Sequence, residues 1–157
     1  METLATIGDD RAVPAIISVL ETTPSASQKS RVERYEQPAA IEALGTFADP
    51  RAAEPIVNWV KENGPPLHVS GDEKAVVDEA LLAIGTGSVD PLIALAVDEE
   101  ASGSARNWAV RLLGDSGDPA AASALVELLS GAEVVRDAVL ESLAKLGPGA
   151  VDALLMG

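Results

Sequence analysis

A short motif recurs five times in this chain: a helix ends at a small residue, a tight turn follows, and a new apolar segment starts. It reads Ile7-Gly8-Asp9-Asp10-Arg11, Phe47-Ala48-Asp49-Pro50-Arg51, Ile84-Gly85-Thr86-Gly87, Ser116-Gly117-Asp118-Pro119 and Leu146-Gly147-Pro148-Gly149. The small-residue column is Gly8, Ala48, Gly85, Gly117 and Gly147, spaced by 40, 37, 32 and 30 residues. Self-similarity at that period marks an array of helical repeats, in which each unit buries its apolar face only by stacking on its neighbours. Such arrays serve as binding surfaces more often than as reaction vessels.

The flanking columns support the alignment. Leu4, Leu44, Leu81, Leu113 and Leu143 share one column, and Ile7, Phe47, Ile84, Ser116 and Leu146 follow three residues later. That spacing puts both columns on one face of a first helix. Second helices carry Ile16-Ile17, Ile56-Val57, Leu92-Ile93, Leu125-Val126 and Leu154-Leu155, and the stripe repeats three residues on. A stripe this wide suits a helix that packs on two sides. At the turns, a glycine accepts the left-handed conformation that closes a helix. Asp9, Asp49 and Asp118 are placed to cap the next helix, and Pro50, Pro119 and Pro148 to open it. The pattern predicts first helices near 2–7, 38–47, 73–84, 103–115 and 132–146. It predicts second helices near 11–21, 51–62, 88–97, 119–129 and 150–156. No stretch shows the two-residue alternation of a half-buried strand.

Three fragments carry a resemblance. Val135-Arg136-Asp137-Ala138 with Glu141-Ser142-Leu143-Ala144-Lys145-Leu146-Gly147 looks like a HEAT repeat. Ala105-Arg106 with Leu113-Gly114-Asp115-Ser116-Gly117-Asp118-Pro119 matches it, as does Ala43-Leu44-Gly45 with Asp49-Pro50-Arg51-Ala52-Ala53-Glu54-Pro55-Ile56. More narrowly, the chain resembles the short HEAT-like repeats first described in phycobilisome lyases. The resemblance implies an all-α fold, an alpha-alpha superhelix (α-solenoid) of about five helical-hairpin repeats, the first and last incomplete. The expected organisation is a single domain over 1–157, with repeats near 1–21, 31–62, 73–97, 103–129 and 132–157. Fold alone does not fix function, since this repeat type occurs in lyases, scaffolds and enzyme regulators.

Composition narrows the classes. Hydrophobic residues make up 47% of the chain and aromatics 3%, so the core is built from Ala, Leu, Val and Ile. The net charge is −14: residues 1–72 hold 11 acids and 6 bases, and residues 73–157 hold 14 and 5. Nucleic-acid binding depends on basic side chains at phosphates, so no nucleic-acid partner is expected. A protein partner with a basic surface would be complementary. No apolar run is read as approaching the ~20 residues that cross a bilayer, and no membrane partner is expected. Met1-Glu2 opens an acidic stretch unlike a signal peptide, and a cytoplasmic location is expected.

Candidate chemistry is sparse. With one His and no Cys, no metal and no cofactor are expected. No nucleophile–base pairing is visible, so no catalytic residue is assigned and the chain is read as a non-enzyme. Glu99-Glu100 and Asp9-Asp10 read as solvated turns, His68 as a surface residue, and Gly85-Thr86-Gly87-Ser88 as a repeat turn lacking the Lys of a phosphate loop. Trp59 and Trp108 stand in apolar columns, with Val19, Leu95 and Leu128 for the first and Ala39, Val76 and Ala138 for the second. The resemblance implies that second helices line the concave side. Their outward column is Ser18, Asn58, Ala94 and Glu127, with Glu21, Lys61 and Ser130 three residues on. Partner binding is therefore assigned to Ser18, Glu21, Asn58, Trp59, Lys61 and Glu127, in a scaffold or regulatory subunit. A tetrapyrrole-handling, phycobilin-lyase-like subunit is one alternative, and a repeat fragment of a larger protein is another. Two long connections, Thr22 to Ser30 and Asn63 to Asp72, are further candidates for contact. The terminal stripes, Leu4 with Ile7, Ile16, Ile17 and Leu20, and Val139 with Leu143, Leu154, Leu155 and Met156, show no polar cap. The expectation is self-association through a terminal repeat, or membership of a longer array.

Overall fold

The computed structural model describes residues 11–21, 33–65, 72–131 and 135–147. Among them every regular element is helical: α1 (Ala12–Glu21), α2 (Glu33–Phe47), α3 (Ala53–Asn63), α4 (Asp72–Ile84), α5 (Val89–Val97), α6 (Gly103–Ser116), α7 (Pro119–Gly131) and α8 (Arg136–Leu146). Short 3-10 turns occupy Pro50–Ala52 and Gly85–Ser88. The described residues are thus all-α, built from consecutive helices joined by short turns. The expected segments at 2–7 and 150–156 lie outside the described residues.

Turn chemistry accounts for the boundaries. Ala48, Gly85, Gly117 and Gly147 have φ of 51°, 68°, 65° and 58°, so every described member of the small-residue column takes the positive φ that stops a helix. Ala48 does so with a Cβ, at a cost of roughly 1–2 kcal/mol. Asp49 Oδ1 accepts the Arg51 amide at 2.9 Å, and Asp118 Oδ1 accepts the Ala120 amide at 2.8 Å. These are the predicted N-terminal caps. Pro14, Pro55 and Pro91 each sit third in their helices, where the lost N–H has no helical acceptor.

The structure corrects the sequence reading at three places. Helix α2 was expected to begin at Pro38, but it starts five residues earlier and runs through that proline. An interior proline removes one helical hydrogen bond. Buried Gln37, Ala40 and Ile41 surround it, and their packing holds the helix together. The second helices following Ala48 and Gly85 open as 3-10 turns before becoming α-helical. Finally, Val76–Val97 is apolar and long enough to cross a bilayer on length and composition, which the reading above did not recognise. Gly85 and the 3-10 turn after it break that segment into two helices.

The chain divides into two compact units, Met1–Ser88 and Val89–Gly157. In the first, α2 packs on α4 and α1, and α1 also meets α3. Val13, Ile41, Leu44, Ile56, Val60 and Leu81 are buried there. In the second, α6 packs on α8 and α5, and α7 meets α8. Leu92, Val110, Leu113, Leu125 and Val139 are buried there. Each such side chain contributes about 1.5–3 kcal/mol of transfer free energy. The described members of the leucine column, Leu44, Leu81, Leu113 and Leu143, are all buried.

Among the described residues, a close seam between first helices is seen in each unit, and both seams use the same position. Gly45 stands three residues before Ala48, and a Cβ built on it would lie 2.7 Å from Ala80 Cα. Gly114 stands three residues before Gly117, and its Cβ would lie 2.5 Å from Ser142 Cβ. Any side chain there would force the helices apart. The second seam carries extra polar contacts. Buried Ser142 Oγ donates to the Val110 carbonyl at 3.0 Å, and Lys145 Nζ meets Asp115 at 3.1 Å. Arg111 lies 3.9 Å from Glu141.

Candidate partner-binding surface

The second helices present an alternation that the repeat columns anticipate. Ser18 on α1, Asn58 on α3, Ala94 on α5 and Glu127 on α7 are all exposed. The next residue in each helix turns inward: Val19 and Trp59 are half-buried, and Leu95 and Leu128 are buried. One residue of rotation, about 100° on a helix, separates the solvent column from the core column. Glu21 and Lys61, three residues beyond Ser18 and Asn58, are exposed as well. Ser130 lies among residues whose side chains are not described.

In the first unit, Ser18, Glu21, Asn58, Trp59 and Lys61 are carried by α1 and α3, two helices in contact. Glu127 belongs to the second unit, on α7 beside α5. Ser18 Oγ donates to the Ala15 carbonyl at 2.7 Å, so its hydroxyl is turned back along its own helix. The Trp59 carbonyl accepts a hydrogen bond from Asn63 Nδ2 at 2.8 Å, which ties down the last turn of α3. Trp59 itself is half-buried, with an apolar ring body and a polar N–H edge. Trp108, by contrast, is 4% exposed and belongs to the core of the second unit.

Several polar groups of the repeat motif are occupied by structure. Arg106 Nε donates to the Ala96 carbonyl at 3.0 Å, closing the C-terminal end of α5 where a cation is also favoured by the helix dipole. Ser88 is buried and its Oγ donates to the Gly85 carbonyl at 2.7 Å. A Cβ on Gly87 would lie 2.8 Å from Pro50 Cβ, so this turn is packed against the preceding one. The Gly85–Ser88 segment is a structural junction. Glu100 donates its amide to Asp98 Oδ1 at 2.9 Å, which places Glu99-Glu100 in a capped, exposed turn.

The Asp49 carboxyl is held well below its ordinary range. Arg51 donates Nε and Nη2 to it, at 2.9 and 2.6 Å, and the Arg51 amide adds a third bond. These hydrogen bonds bring its pKa down from 3.8 to about 2. The group is engaged in a turn. Among the described residues, no group of His, Cys, Asp and Glu is arranged to hold a metal ion.

Sequence reasoning missed the seam charges. Arg111 and Glu141 share one repeat column, as do Asp115 and Lys145, each pair 30 residues apart. Opposite charges one period apart in a column were the available signal. Comparison with known families agrees with the architecture. A model of HEAT repeats matches residues 70–156, and a model of the PBS lyase HEAT-like repeat matches residues 1–22 and 39–58. A comparison with curated proteins finds no match. The repeat model covers more than half of the sequence and coincides with helices α4 to α8, so the chain belongs to the HEAT-repeat family.

Proposed function

We propose that this chain is a non-enzymatic protein-interaction module, a scaffold or regulatory subunit, that meets its partner on the exposed side of its second helices. HEAT repeats generally serve as protein-interaction scaffolds, which supports the class. The observation that carries the face is the exposed column itself, Ser18 and Asn58 in the first unit and Ala94 and Glu127 in the second, each one residue from an inward-turned apolar neighbour. Side chains projecting from helices that are fixed by their own cores are preorganised, which lowers the entropic cost of association. Trp59 supplies a half-buried aromatic beside Asn58 and Lys61, and aromatic anchors of that kind dominate binding energy at interfaces.

Affinity capture from a source extract, followed by mass spectrometry, is the first test. The tagged protein is compared with the double substitution Asn58→Arg and Glu127→Arg. Loss of at least tenfold in captured partner, with an unchanged helical circular-dichroism signal, is the expected result. Retained binding by the double variant would show that this face is not the site.

A further inference from the structure

The two first-helix seams differ in charge at one repeat position. Six residues before the turn residue stand Glu42, Glu79, Arg111 and Glu141. In the second unit that position forms a cross-helix pair, with Arg111 on Glu141 at 3.9 Å. In the first unit the same rung holds two carboxylates, Glu42 on α2 and Glu79 on α4. The rung two residues before the turn repeats the difference. Asp115 and Lys145 pair in the second unit, whereas Thr46 and Ala83 occupy the first.

An open groove of about 290 Å³ lies over this part of the first seam. Gly45 and Ala80 bring the helices close, and Glu42, Thr46, Glu79 and Ala83 also line it. Both glutamates are exposed. The Thr46 hydroxyl is spent on the Glu42 carbonyl at 3.0 Å, so its hydrogen is not available to either carboxylate. The groove therefore has small apolar residues near the backbone and two acids beside them.

We infer that this groove takes an Arg or Lys side chain from a partner protein, seated as Arg111 is seated on Glu141. The second unit shows that a carboxylate at the Glu79 position can hold a guanidinium in this seam. Glu42 and Glu79 stand at the matching rung of the first unit where the second has a cation and an anion, which leaves a place for a cation from a partner. The aliphatic stem of Arg or Lys suits the small-residue lining, and the charged head suits the two carboxylates. Two like charges on one site raise its attraction for a cation and gain from its arrival. The inference rests on the protein-binding reading, but it concerns the first helices and stands apart from the second-helix face.

Amide chemical shifts of the full ¹⁵N-labelled chain, titrated with an oligo-arginine peptide at physiological salt, provide the test. The expected result is a set of shifts centred on Gly45, Thr46 and Ala83, with affinity reduced about tenfold by Glu42→Gln and unaffected by Glu99→Gln. Glu42→Arg should abolish the groove shifts by supplying the missing cation from within. Glu42→Gln keeps the test decisive if the arginine variant does not fold. Shifts spread evenly over the acidic surface, or an affinity indifferent to Glu42→Gln, would overturn the inference. Shifts confined to Asn58 and Lys61 would overturn it too, while leaving the second-helix reading intact.

Discussion

The α2–α4 seam and the α6–α8 seam are built from the same repeat position and finished differently. Both rely on a glycine three residues before the turn, Gly45 in one and Gly114 in the other. Both place a buried leucine column behind it, Leu44 with Leu81 and Leu113 with Leu143. The second seam then adds a buried Ser142 hydrogen bond and two cross-helix charge pairs. The first has Ala80 in place of Ser142, and Glu42 with Glu79 where the other has a cation and an anion. Close helix approach is thus the shared structural requirement, and the polar rungs are where repeats of one chain are free to diverge.

The largest expected effect comes from closing either seam. Gly45→Val and Gly114→Val should each destabilise by about 1–3 kcal/mol or more, because the new Cβ meets backbone or Cβ atoms that cannot swing away. Glycine is otherwise about 1 kcal/mol worse than alanine within a helix. Gly45→Ala and Gly114→Ala therefore give a sharper form of the test by chemical denaturation. Stabilisation by either would show that its seam is looser than described.

Ser142→Ala converts the second seam toward the first. The lost hydrogen bond should cost about 0.5–1.5 kcal/mol, measured as a shift in denaturation midpoint at constant slope. A neutral result would mean that this polar contact does not distinguish the seams.

The turns give a parallel contrast. Ala48 and Gly117 occupy the same column with φ of 51° and 65°, and only Ala48 carries a Cβ there. Ala48→Gly should stabilise by about 0.5–1 kcal/mol, the relieved strain being partly offset by glycine's greater freedom when unfolded. No gain would indicate that the Ala48 turn is not strained.

The smallest effect is acid sensitivity at Asp49. Its folded pKa is lowered from 3.8 to about 2, so its contribution is present above the unfolded value and is lost as pH falls from about 4 to about 2. Arg51 is exposed and Asp49 half-buried, and solvent screening of the exposed guanidinium keeps the contribution small. Asp49→Asn should flatten this part of the stability–pH curve, with Asp118→Asn as the comparison at the equivalent turn. An unchanged curve would mean that Asp49 titrates alike in the folded and unfolded chain.

Much of this was legible in the sequence because a repeat supplies its own internal alignment. The leucine column, the positive-φ column and the aspartate caps each recur, and one physical reason covers every instance. Pro38 misled because proline is a good local boundary signal, and the packing of Gln37, Ala40 and Ile41 that overrides it is tertiary. The seam glycines were visible as letters but not as contacts. Leu82 and Ala144 fill the same column, so the column by itself does not read as glycine. The proposed binding surface was legible only as an exposure pattern, since a periodic solvent column looks the same whether or not a partner covers it.

The central claim is that a partner is held on the second-helix face, and site-specific photo-crosslinking tests it most directly. A photoreactive residue is placed at position 58 on α3, and separately at position 123, an exposed position on α7, and at a position within 22–30. The account predicts a partner adduct from position 58 that is lost on competition with the unlabelled chain. Adducts only from the 22–30 segment, with none from position 58, would contradict it and move the proposed site to that connection.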